Sequence, residues 1–339
     1  MKKLFVIVLL GALSCIVAKG EGKAPFMTRS FSASSIKEVE AATSGGSLIL
    51  TGDADSKAIV EMYVSRNNWS AEKIKQVLDE NYTIDIRVES GKLYAVVKQK
   101  SSFFNWNNHG LSISFKITVP KQLNSNLRTS GGNIQISNLS GSHDFKTSGG
   151  SLSIENVSGN ILGATSGGSI MLTGSKGDID LKTSGGSITA NDCNGSINLR
   201  TSGGSLSMSN LDGVVNAATS GGSVAASNIK GTFTTGTSGG SMHLDGISGN
   251  VDATTSGGSM NVKIKSVKDY VKLSNSGNIN LTLPAGKGYN MNVKSNGIDI
   301  SGSVDFRGSR ENKNMEGTIG NGGPEITVRS SQRVRLSFE

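Results

Sequence analysis

Apolar and polar residues alternate one by one in short bursts along most of this chain. Leu152-Ser153-Ile154-Glu155 and Ile179-Asp180-Leu181-Lys182 are clear examples. A period of two predicts a strand with one buried and one wet face. The bursts end on small turn-forming residues, as in Asn156-Val157-Ser158-Gly159. These breaks are themselves periodic. Thr-Ser-Gly-Gly-Ser begins at Thr147, Thr165, Thr183, Thr201, Thr219, Thr237 and Thr255, and a near-copy ending in Asn begins at Thr129. The spacing is eighteen residues each time, without insertion.

An exact repeat of this length means that one small unit is stacked on itself. Each unit reads strand, corner, strand, corner. The expected fold is therefore all-β: a parallel β-solenoid of 18-residue, two-strand coils, each strand pairing with its equivalent ~4.8 Å away. One inward ladder runs Ile134, Leu152, Ile170, Ile188, Leu206, Val224, Met242, Met260; a parallel one includes Ile154, Leu172 and Met208. A third contains Val157, Cys193 and Leu211 and is interrupted by Ser175. The glycine pair is expected to supply positive φ at the corner. The adjacent Thr and Ser are expected to bond the turn backbone or each other up the stack.

The pattern divides the chain into four parts. Residues 1–20 read as a signal peptide, with Lys2 and Lys3 ahead of an apolar run and Ala18-Lys19-Gly20 as the cleavage site. A second reading takes Leu13-Ser14-Cys15 as a lipoprotein site, with a lipid anchor on Cys15. Residues 21–128 hold one isolated coil, Thr43-Ser44-Gly45-Gly46-Ser47, and an N-terminal β-rich cap. Ser70 followed by Ala71–Asp79 predicts one short N-capped helix there, with strands over 82–88, 93–97 and 111–119. Residues 129–272 are the regular coils, and 273–339 are degenerate coils and a C-terminal cap. No later apolar run is long enough for a transmembrane segment. Export to the periplasm, the outer surface or the medium is expected.

Charge narrows the partners little. Loss of Lys2, Lys3 and Lys19 with the leader takes the formal net charge from +8 to +5. No dense Lys/Arg block stands out, so nucleic acid is not an expected partner. Cys15 lies in the leader and Cys193 at an inward position, so the exported chain has no internal disulfide.

Three features carry a family resemblance: an alternating strand ending in Val119-Pro120, the run of Thr-Ser-Gly-Gly coils, and the closing Ile319-Gly320-Asn321-Gly322-Gly323-Pro324. In these the chain resembles the bacterial "putative adhesin" family, exported β-solenoid domains of unknown function. The resemblance implies attachment as a role and offers no catalytic residues.

The residues themselves point to surfaces rather than to catalysis. Asp144 and Asp180 share an outward column, beside a second column with Lys146, Lys182 and Arg200. Adjacent columns of opposite sign more often solvate each other than catalyse. Phe103, Phe104 and Trp106 cluster among asparagines, either as a buried loop anchor or as an exposed aromatic platform. His109, His143 and His243 are scattered, and no metal-ligand or nucleophile–base spacing is present. The expectation is a non-catalytic surface-binding scaffold with no cofactor and no metal, its partner an envelope polysaccharide or another surface protein. An assembly-type envelope protein and a polysaccharide-degrading β-helix enzyme are the alternatives.

Overall fold

The computed structural model describes residues 24–53, 56–100 and 110–339. The leader with Cys15, and the cluster Phe103, Phe104 and Trp106 together with His109, lie outside the described residues. Four strands open the chain: β1 (Met27–Ser32), β2 (Glu38–Ala42), β3 (Leu48–Asp53) and β4 (Lys57–Ser65). Helix α1 (Ala71–Asn81) separates them from β5 (Tyr82–Glu89), β6 (Lys92–Gln99) and β7 (Ser112–Pro120). The Ser70 hydroxyl caps α1 by accepting from the Lys73 N–H at 3.4 Å.

The repeats follow as short pairs and then as long bent strands. The pairs are β8 (Asn124–Arg128), β9 (Ile134–Ser137), β10 (Ser140–Lys146), β11 (Leu152–Glu155), β12 (Ser158–Ala164), β13 (Ile170–Thr173) and β14 (Lys176–Lys182). The bent strands are β15 (Ile188–Arg200), β16 (Leu206–Ala218), β17 (Val224–Thr237), β18 (Met242–Thr255) and β19 (Met260–Asn275). Seven shorter strands close the chain: β20 (Ile279–Leu283), β21 (Tyr289–Lys294), β22 (Gly297–Ser301), β23 (Phe306–Arg310), β24 (Asn314–Ile319), β25 (Glu325–Ser330) and β26 (Arg333–Phe338). Among the described residues, no helix is long and apolar enough to cross a membrane.

Pairing through the repeats is parallel and steps by one coil. Ile154 faces Ile136 on one side and Leu172 on the other, and Ile179 lies between Ile161 and Ile197. The strands after each Thr-Ser-Gly-Gly corner form a first wall, and those leading back to the next corner form a second. Their inward residues meet in a thin core where Leu152, Ile154, Val157 and Ile161 are all about fully buried. The all-β solenoid expected from the alternation is what the chain forms. Bulk is traded between neighbouring coils: a Cβ on Gly163 would lie 2.5 Å from the Phe145 ring, so the glycine leaves room for the phenylalanine.

The corner glycines work differently from expectation. Through the regular coils, neither glycine of the pair has positive φ except Gly258. The second glycine is required by close approach instead: a Cβ on Gly168 would sit 2.0 Å from the Gly150 carbonyl oxygen. Positive φ falls at the opposite corner. Asn138, Asn156, Asp192, Asn210 and Asn228 adopt it there with φ of 53–57°, and Gly174 and Gly246 occupy the same column. Asparagine and aspartate tolerate this left-handed conformation best among residues with a side chain. The column also bonds to itself, with Asn228 Nδ2 donating to Asn210 Oδ1 at 3.2 Å and Asn210 Nδ2 to Asp192 Oδ1 at 2.9 Å.

At both ends the chain departs from simple stacking. The first coil, β2 and β3, does not lie at the edge. It is sandwiched between β6 and β7 on one side and β8 and β9 on the other, all in parallel register. β4 and β1 then extend the first wall antiparallel, and β5 extends the second. The C-terminus mirrors this. β25 slots between β19 and β21, and β26 between β20 and β22. β24 and β23 continue outward antiparallel. The first and last coils are therefore interleaved into the stack.

Candidate functional site

The Thr-Ser-Gly-Gly edge presents three columns of different chemistry. The threonines point inward and are consumed by structure. Thr183 Oγ1 donates to the Gly168 carbonyl at 2.8 Å and accepts from the Gly186 N–H at 3.3 Å, and Thr147, Thr165, Thr201, Thr219 and Thr237 repeat the arrangement. Each hydroxyl thereby pins its own corner to the one before. The closing serine of the motif also works up the stack, Ser187 Oγ accepting from the Ser205 N–H at 3.1 Å.

The first serine of each motif is different. Ser166, Ser184, Ser202 and Ser220 are exposed, and their backbone carbonyls and amides are used between coils. Their hydroxyls make no hydrogen bond among the described residues, so the edge offers a free hydroxyl once per coil. The residue before the threonine supplies charge in some of the coils, as Lys146, Lys182 and Arg200. Lys146, Ala164, Lys182, Arg200 and Ala218 stand in one register column. Together with the threonines and free serines they line a groove of about 510 Å3.

The structure brings Lys146, Lys182 and Arg200 into this groove and leaves Asp144 and Asp180 outside its lining. Asp144 pairs with Arg128 at 2.5 Å, and Asp180 accepts from Asn198 Nδ2 at 3.0 Å. The three groove cations form no ion pair among the described residues. Lys182 and Arg200 are direct register partners, an arrangement of like charges that disfavours the ladder unless an anion sits nearby. Neither carboxylate nor imidazole lines the groove. The free serine column escaped sequence reading because all four motif positions looked equally structural; only the coil geometry separates inward from outward hydroxyls.

The remaining candidate chemistry is internal or isolated. His143 is buried, its Nδ1 2.9 Å from Ser125 Oγ, and burial pushes its pKa down to about 4. The ring is therefore neutral and part of the core. Cys193 is also buried, and burial pushes its thiol up. His243 stands exposed on the first wall. Among the described residues, no group of acids, histidines and cysteines could hold a metal ion.

Residues 175–332, from within one regular coil to the interleaved C-terminal end, match the family described as Toastrack DUF4097. That stretch is similar to a Toastrack domain. This bears out the family resemblance drawn from the coil motif and the closing glycine-rich run. The chain is also similar to three solved structures. One is described as a "putative cell adhesion protein" from Clostridium sporogenes, with 9% identity over 92% of this chain and 98% of that one, TM-score 0.23. Another is a "putative adhesin" from Bacteroides fragilis, with 18% identity over 75% and 100%, TM-score 0.34. The third is a "putative lipid binding protein" from Parabacteroides distasonis, with 14% identity over 93% and 97%, TM-score 0.31. Overlaps this loose add nothing to the fold, which rests on the strand register. No curated protein matches the chain.

Proposed function

We propose that the chain is a non-catalytic, exported binding scaffold that holds an extended anionic envelope polysaccharide along its Thr-Ser-Gly-Gly edge. The observation that supports this reading most is the groove at Lys146, Lys182 and Arg200, where three unpaired cations stand beside free serine hydroxyls that recur at the coil spacing, with no acid among them. A repeating column of serine hydroxyls suits a repeating ligand, because each added sugar meets the same donor one coil further on. Charge on the protein side calls for carboxylate or other acidic groups on the polymer.

The test is titration of the mature chain with polygalacturonate and with uncharged dextran, followed by calorimetry at two salt concentrations. Selective, salt-weakened binding of the acidic polymer is expected, with at least a tenfold loss in the triple variant Lys146→Ala, Lys182→Ala, Arg200→Ala. Equal binding of both polymers, or none, would overturn the reading. End-to-end assembly is the less supported alternative. The outermost strands carry charges that discourage edge pairing: Arg29 on β1, Asp85, Arg87 and Glu89 on β5, and Arg307 and Arg310 on β23.

A further inference from the structure

A second groove lies on the same edge near the C-terminal end, and strands distant in sequence build it. It encloses about 580 Å3. Lys294 at the end of β21, Arg329 in β25 and Lys313 in the turn between β23 and β24 all line it. Lys294 and Arg329 are direct register partners on adjacent parallel strands. The Lys313 carbonyl accepts from the Ser295 N–H at 3.0 Å, which seats the third cation one strand further out. All three side chains are on exposed residues, and none forms an ion pair among the described residues. The rest of the lining is hydroxyl, carboxamide and methylene, without a carboxylate or imidazole.

Lys294 and Arg329 oppose each other across the ladder, and Lys313 adds a third like charge from the adjoining turn. A compact multivalent anion reverses that penalty. A phosphate monoester carries about 1.5 to 2 negative charges and three acceptor oxygens near neutral pH, which suits a guanidinium, two ammonium groups and nearby serine hydroxyls better than a single carboxylate does. We propose that this groove is an oxyanion site that takes a phosphate group, with Lys294, Lys313 and Arg329 as its positive partners. The site shares no cation with the groove at Lys146, so failure of polysaccharide binding there leaves it standing.

The test uses the mature chain, with inorganic phosphate titrated against chloride at matched ionic strength and read by calorimetry and Tm. Phosphate is expected to bind and to raise Tm beyond the chloride effect, equally in the wild type and in the Lys146→Ala, Lys182→Ala, Arg200→Ala variant. The Lys294→Ala, Lys313→Ala, Arg329→Ala variant is expected to bind at least tenfold more weakly. Lys313→Glu, a change in an exposed turn that the fold tolerates, should lose as much. Vesicles of phosphatidylcholine with and without phosphatidic acid, whose headgroup is a phosphate monoester, separate the sources: capture that depends on the same residues places the phosphate on a lipid headgroup, while binding of inorganic phosphate alone places it on a soluble ligand, and either upholds the site. Phosphate that acts on Lys313→Glu as it does on the wild type, or no more than chloride does, overturns the proposal.

Discussion

At Gly168 a single methyl group decides whether two coils can meet. Its Cβ would fall 2.0 Å from the Gly150 carbonyl oxygen, whereas a Cβ on Gly167 would lie 3.7 Å from its nearest neighbour at ordinary contact distance. Gly168→Ala should therefore cost about 3 kcal/mol or more, or prevent folding, because backbone cannot yield as a side chain can. Gly167→Ala should stay within about 1 kcal/mol of wild type. Urea denaturation of the two variants checks the contrast. His143 sets a second expectation. Folded, it is neutral down to about pH 4; unfolded, it takes a proton near pH 6.5. Its contribution is thus fully present above about pH 6.5 and is lost as pH falls towards 4, by about 2–3 kcal/mol at pH 4.5. Comparison of wild type with His143→Ile at pH 7 and pH 4.5 isolates the effect: the variant should lose less stability on acidification. In the sequence this histidine was one of three scattered ones, and nothing there named its Ser125 partner a coil away. The glycine pair was legible as a corner, but not its reason, since close approach depends on a neighbouring coil that a local motif does not contain.

The coil is the element on which everything else rests. Strands, both corners and α1 were readable because each has a local cause: period-two alternation, turn residues, and a serine cap at Ser70. The order of the terminal coils was not readable. Nothing in β25 or β26 says that they pair inward with β19 and β20 as well as outward with β21 and β22. In an ordinary solenoid the end repeat contacts one neighbour, and its loss leaves a shorter stack. Here, deletion of Glu325–Glu339 should open a gap one strand wide and disorder the region from β21 onward. Deletion of one internal period, Thr183–Arg200, rejoins equivalent positions and should leave a folded chain. Circular dichroism and size-exclusion chromatography would separate the outcomes, and intact folding after removal of β25 and β26 would contradict the pairing argument.

Across the whole molecule, the columns turn local sequence into surface chemistry. Lys146, Lys182 and Arg200 were found as a column from the repeat alone because they sit in consecutive or alternate periods. Lys294, Lys313 and Arg329 left no such trace, for their strands become neighbours only through interleaving. The same interleaving has a mechanical meaning. A pull on the C-terminus acts on β26, a strand clamped on both sides. The hydrogen bonds of two ladders must shear together rather than open singly like a zip. A chain held by that end and loaded elsewhere would resist peeling where an unguarded stack would begin to unravel.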